Sequence, residues 1–140
     1  MRISITLMLL LLVNASVRAE TTASRLVCNP DRIKQTNAWV DCLQKSLDES
    51  EARLESITAK IAAAMQKADM LDEPKRGENR ELFETTQKRW LALRDDDCKS
   101  YGAHRAGLGF GAAQFRLMCL VDESIGRIET LKSRYAEELK

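Results

Sequence analysis

The chain has 140 residues, 22 Lys and Arg against 21 Asp and Glu, a formal net charge of +1, two prolines and six glycines. Such a length builds one domain with its own core and not two, and so even a charge balance gives no electrostatic footprint for nucleic acid or for an anionic membrane surface. The scarcity of proline, glycine and β-branched residues favours helices over strands.

Met1 and Arg2 precede an apolar run from Ile3 to Val13 and a small-residue exit, Val17-Arg18-Ala19, before Glu20. That run is too short to cross the ~30 Å hydrocarbon core of a bilayer and has the layout of a secretory signal. Residues 1–19 therefore read as a signal peptide, and residues 20–140 as a single helical domain delivered to the periplasm or outside the cell. Losing Arg2 and Arg18 with the leader makes the mature chain slightly negative. Cys28 follows Arg25-Leu26-Val27, whereas a lipid-attachment cysteine sits at the cleavage point directly after a small residue. No membrane insertion is expected once the signal is cleaved.

From Ile33 the apolar positions step in threes and fours through Val40, Leu43, Leu47, Leu54, Ile57 and Ile61. This heptad-like seam predicts one long amphipathic helix from about Thr36 to near Ala68. Met70 to Asn79, with Pro74 and Gly77 among charges, reads as a connection. A second helix is expected from about Arg80 to Lys99, with Leu82, Phe83, Thr86, Trp90 and Leu93 on one side. Gly102, Gly107, Gly109 and Gly111 then read as helix breakers. A third helix follows from about Ala113 to Leu139, turning Phe115, Met118, Ile125, Ile128, Leu131 and Tyr135 inward. The expected fold is all-α: an antiparallel three-helix bundle with an additional short N-terminal helical turn, stapled by two disulfides.

In an exported chain Cys28, Cys42, Cys98 and Cys119 persist as disulfides, and four cysteines allow three connectivities. Pairing sequence neighbours, Cys28–Cys42 and Cys98–Cys119, is favoured. A straight helix would separate the first two by roughly 20 Å, far beyond the ~5.5 Å between Cα atoms that a disulfide spans. If they pair, the chain must turn back between them, at Asn29-Pro30 or Thr36-Asn37. The second bridge would clamp a glycine-rich loop at its base, worth ~3 kcal/mol in the chain-entropy view, and leave the tip as a binding surface.

Residues that resemble chemistry mostly have plainer roles. Gly107, Gly109 and Gly111 lack the preceding strand of a dinucleotide fingerprint and any Walker lysine. His104 is the one histidine; with no motif-borne nucleophile and no further ligands around it, it reads as a surface histidine rather than a catalyst or metal ligand. Asp95-Asp96-Asp97 lies at the expected end of the second helix, where acids oppose the helix dipole. Asp95 would then pair with Arg94, Lys99 or Arg127, while Asp96 and Asp97 fit either a solvated face or an acidic patch aimed at a basic partner. The run lacks the alternation and glycine of a calcium loop. Trp39 and Trp90 read as core anchors. No nucleophile, base and orienter assemble into a catalytic set, so neither an enzyme nor a cofactor or metal is expected.

The run Gln87-Lys88-Arg89-Trp90-Leu91-Ala92-Leu93-Arg94-Asp95-Asp96-Asp97-Cys98 resembles the N-terminal domain of the LprI-type lysozyme inhibitor family, exported bacterial proteins mostly without an assigned function. The likeness continues through Gly102 to Gly111, Cys119-Leu120, Arg127 and Leu131, and upstream through Cys28 and Cys42; Leu93 stands where the family often carries an aromatic. The resemblance implies a helical, disulfide-stapled envelope or secreted protein, with Trp90 as a core anchor and Arg94, Asp95 and Arg127 in a partly buried charge network. It also implies a protein partner, c-type lysozyme; since lysozyme is basic with a cleft built around two carboxylates, Asp96 and Asp97 are expected to meet its rim while a loop bearing His104, Arg105 and Phe110 enters its cleft. The competing expectation is an assembly module of the bacterial envelope that holds a partner helix along the Ile33–Ala68 seam.

Overall fold

A computed structural model of the chain describes residues 22–33, 36–72, 77–107 and 110–140, with the backbone alone for Phe110. The expected leader, residues 1–19, lies outside them. The described residues form four helices: α1 (Ala23–Val27), α2 (Thr36–Leu71), α3 (Glu78–Ala106) and α4 (Phe110–Arg134). The expected short turn and three long helices are all present.

The chain reverses before α2 because the Asn29 side chain accepts from the Asp31 amide at 2.9 Å and the Asn29 carbonyl accepts from the amides of Arg32 and Ile33. That reversal brings Cys28 and Cys42 to a Cα separation of 5.9 Å, and they are bonded. Trp39 secures the same corner, its indole N–H donating to the Cys28 carbonyl at 3.0 Å. Cys98 and Cys119 form the second bridge, with Cα atoms 5.4 Å apart.

Two apolar clusters define the directions of the long helices. Leu43 and Leu47 of α2 meet Cys98 of α3 and Leu120 and Val121 of α4 in one. Leu54 and Ile61 meet Phe83, Ile128 and Leu131 in the other. Hence α2 and α4 run parallel and α3 antiparallel to both. The centre of the α2 seam expected from the sequence, Leu43, Leu47, Leu54 and Ile61, is buried inside the bundle, whereas Thr36 and Ala68 at its ends are exposed.

Two helix starts are capped from elsewhere in the chain. The first amides of a helix have no intrahelical acceptor and need one. Neither Thr22 nor Gly77, the residues at the cap positions of α1 and α3, supplies a side-chain cap to a backbone amide. Asp122 of α4 instead accepts from the Ser24 amide at 2.6 Å and its hydroxyl at 3.1 Å. Asp69 of α2, 1% exposed, accepts from the Arg80 amide at 3.1 Å and the Asn79 side chain at 2.6 Å. That use of Asp69 explains why α2 continues past Ala68 to Leu71.

Two expectations need correction. Gly102 and Gly111 do not break helices: α3 continues through Gly102 to Ala106 and α4 begins at Phe110. The turn is at Gly107, whose φ of +66° suits glycine. Gly102 serves close packing, since a Cβ there would stand 2.5 Å from the Ala112 carbonyl oxygen. The Cys98–Cys119 bridge consequently clamps a helical hairpin and not a loop. The expected phase of the second helix is also displaced. Leu82 and Leu93 are 66% and 59% exposed, and the buried stripe of α3 is Phe83, Gln87, Arg94, Cys98 and Gly102.

Packing at Gly102 predicts opposite effects for two alanine substitutions within helices. Gly102→Ala should destabilise the oxidised protein by about 1–3 kcal/mol through overpacking, despite a helix-propensity gain of about 1 kcal/mol. Gly126→Ala, where the added methyl meets nothing within 4 Å, should be neutral or stabilise by up to about 1 kcal/mol. Urea denaturation of both variants decides; equal effects would contradict the close approach.

Candidate functional site

Between the two apolar clusters the bundle carries a polar layer centred on Arg94. The Arg94 side chain is 6% exposed, while its partners Glu51 and Asp95 are 45% and 51% exposed. Nη1 donates to the Ser124 hydroxyl of α4 at 2.9 Å, Nη2 to Glu51 of α2 at 3.0 Å, and Nε and Nη2 to Asp95 of α3 at 2.9 and 2.7 Å. One guanidinium thus touches all three long helices. Its counter-charges keep part of their hydration, which lowers the desolvation cost of the arrangement relative to a fully buried pair.

Trp90, half-buried, lies beside this layer with the Arg94 guanidinium carbon 5.6 Å and the Arg127 one 5.2 Å from its ring centroid. Arg127 donates to the Gln87 side-chain oxygen through Nε at 3.2 Å and Nη2 at 2.9 Å. Burial, and then the like charge of Arg134, hold Arg127 below the usual arginine range, with Tyr135 opposing them. The expected network of Arg94, Asp95 and Arg127 is therefore divided. Arg94 and Asp95 are bonded, whereas Arg127 pairs with Gln87 and shares with Arg94 the indole of Trp90 and no carboxylate.

At the surface of this layer a groove opens between α2 and α3, which pack more closely on α4 than on each other. A cavity of about 490 Å³ has Leu54, Trp90 and Leu91 among its lining, with Glu51, Glu55 and Asp95 around them. A second, of about 250 Å³, shares Glu55, Thr58, Gln87 and Leu91 with the first and extends it to Ala62, Phe83, Glu84 and Lys88.

The remaining residues singled out in the sequence do not converge. Asp96 and Asp97 are exposed on α3 and do not line the groove. His104 and Arg105 occupy the last turn of α3, roughly 12 Å further along the axis from Asp96 to His104. Arg105 lies over the Phe115 ring at 5.3 Å, and that ring packs edge-on against Tyr101. Phe110 opens α4, and its side chain lies outside the described residues. Among the described residues no cluster of three potential metal ligands occurs, and the four cysteines are all in disulfides.

Glu51, Ser124, Asp69 and Asp122 were not singled out by sequence reasoning, because each acts on a partner remote in the chain. Gln87 did carry a signal: it shares a helical stripe with Phe83 and Trp90, an odd place for an amide unless it is bonded.

The asymmetry of the Arg94 contacts predicts unequal costs. Arg94→Ala should destabilise by about 1.5–3 kcal/mol, the usual range for hydrogen bonds to charged groups. Glu51→Gln, at a half-exposed position, should cost less than about 1 kcal/mol. Guanidinium denaturation of both variants checks this, and an Arg94→Ala loss no larger than that of Glu51→Gln would contradict the central role of the guanidinium.

Comparison with known proteins bears on this arrangement. The family model described as Lysozyme inhibitor LprI matches residues 28–131. No curated protein and no solved structure matches the chain. The matched span starts at the first bridged cysteine, includes both disulfides with Trp90, Arg94 and Arg127, and ends at Leu131 of the second apolar cluster. α1 lies upstream of it. With the match covering most of its length, the chain belongs to the LprI lysozyme inhibitor family.

Proposed function

We propose that the protein is exported and inhibits a c-type lysozyme by binding it stoichiometrically. The family match over residues 28–131 carries this reading. Two disulfides suit an oxidising compartment, and among the described residues no helix is long and apolar enough to cross a membrane. Lysozyme is a basic protein with a cleft built around two carboxylates. An inhibitor gains association rate and selectivity by presenting acids to such a surface.

This reading does not rely on insertion of a flexible loop. With α3 helical to Ala106 and α4 from Phe110, the connection is too short to reach deep into a cleft. The competing envelope-module reading depended on a free seam along α2. Leu43, Leu47, Leu54 and Ile61 of that seam are buried within the bundle, so that stretch offers no vacant groove and the inhibitor reading is preferred.

The test is residual c-type lysozyme activity on cell walls as oxidised protein from Glu20 to Lys140 is titrated in, with a reduced and alkylated sample alongside. Activity should fall as the ratio approaches one to one, more steeply at low salt than at high salt because surface charges are screened. The reduced sample should not inhibit. Full activity at a large excess of folded, disulfide-bonded protein would overturn the proposal.

A further inference from the structure

We propose that the α2–α3 groove is the surface that engages the partner, by receiving a lysine or arginine side chain from a basic protein. This rests on the inhibitor reading for the partner's identity, while the groove's preference for a cationic chain stands on its own chemistry.

The groove has the two features such a side chain requires. Lysine and arginine bury an aliphatic stem while keeping the charged head near solvent or counter-charges. Leu54, Leu91 and Phe83 offer the stem an apolar floor, and Trp90 offers an aromatic surface. Four carboxylates, Glu51, Glu55, Glu84 and Asp95, stand along the lining against two cations, Lys88 and Arg94. The Arg94 charge is already engaged from below by Glu51 and Asp95, both of which retain exposed surface. Glu84 pairs with Arg80 at 2.8 Å. Glu55 belongs to both cavities, is exposed, and has no cationic partner among the described residues. An incoming cation would find its counter-charge there.

Other surfaces are less suited. The hairpin end presents Arg105, so a basic partner would meet positive charge, and Arg105 already covers Phe115. The cavity between the starts of α2 and α4, about 250 Å³, has Asp41 as its one carboxylate.

The test uses the oxidised chain from Glu20 to Lys140, its Glu55→Lys and Thr58→Arg variants, and Asp96→Lys as a charge-matched change on α3 outside the groove. Glu55→Lys reverses the unpaired carboxylate, and Thr58→Arg places a long cationic chain in the groove. Both positions face solvent at least in part, and thermal melts establish that the variants are folded. Affinity for c-type lysozyme should weaken about tenfold or more for the two groove variants, and by about twofold or less for Asp96→Lys. Equal losses in all three would reduce the effect to net charge and overturn the groove assignment, as would groove variants that bind like the parent protein.

A second arm separates the groove from the identity of the partner. Nuclear magnetic resonance shift mapping with a hexa-arginine peptide should perturb Glu55, Thr58, Leu91 and the Trp90 indole before Asp96 and Asp97. If lysozyme does not bind while the peptide perturbs the groove, the inhibitor reading fails and the cation site stands. A peptide that perturbs Asp96 and Asp97 equally, or nothing at all, overturns the site.

Discussion

The guanidinium of Arg94 stands where three helices meet, and the organisation on either side of it follows from that contact. Above and below it the interior is conventional, with Leu43, Leu47 and Val121 in one cluster and Ile61, Ile128 and Leu131 in the other. Leucine and isoleucine seams tolerate sliding by a helical turn at modest cost, because one apolar contact replaces another. A buried guanidinium bonded to Ser124 on one helix and Glu51 on another does not. A polar group on an otherwise apolar seam is well suited to hold register, and the disulfide from Cys98 to Cys119 fixes α3 against α4 one turn away from it.

The same polar layer accounts for the groove. Arg94 and Gln87 occupy positions on α3 that apolar side chains would otherwise fill, and Trp90 lies alongside, in contact with two guanidinium groups. Each such cation–aromatic contact contributes roughly 0.5–2 kcal/mol, depending on desolvation. Counter-charges for Arg94 must stay partly hydrated to limit the cost of burying it, so Glu51 and Asp95 remain at the surface between α2 and α3. An acid-lined trough with an aromatic wall is the result. A structural requirement of the core thereby produces a surface suited to a basic partner.

Much of the fold was legible in the sequence and some was not, for identifiable reasons. The α2 seam stands out because Leu43, Leu47, Leu54 and Ile61 repeat at helical spacing over many turns, and local periodicity suffices to read it. Pairing of sequence-neighbour cysteines required a reversal at Asn29-Pro30 or Thr36-Asn37, and the bonds at Asn29 place it at the former. The phase of α3 was obscured because Leu82 and Leu93 are more apolar than the residues buried in their place. Its true inward stripe is set by partners far away in the chain, Cys119, Ser124 and Glu51. Glycines mislead in the same manner. Read locally, Gly102 and Gly111 end helices, yet Gly102 is needed where the α4 backbone passes. Asp95 was traceable to Arg94 as its neighbour, whereas the division of Arg127 to Gln87 depended on the third dimension. Asp96, Asp97, His104 and Arg105 share sequence proximity without forming one surface.

Hydrogen exchange of the oxidised protein with and without c-type lysozyme gives the most direct view of how the bundle is used. Engagement through the groove predicts slowed exchange on the facing stretches of α2 and α3, residues 51–58 and 87–95, with the hairpin end around residues 102–113 unchanged. Protection confined to the hairpin end, with the groove exchanging as in the free protein, would contradict that claim.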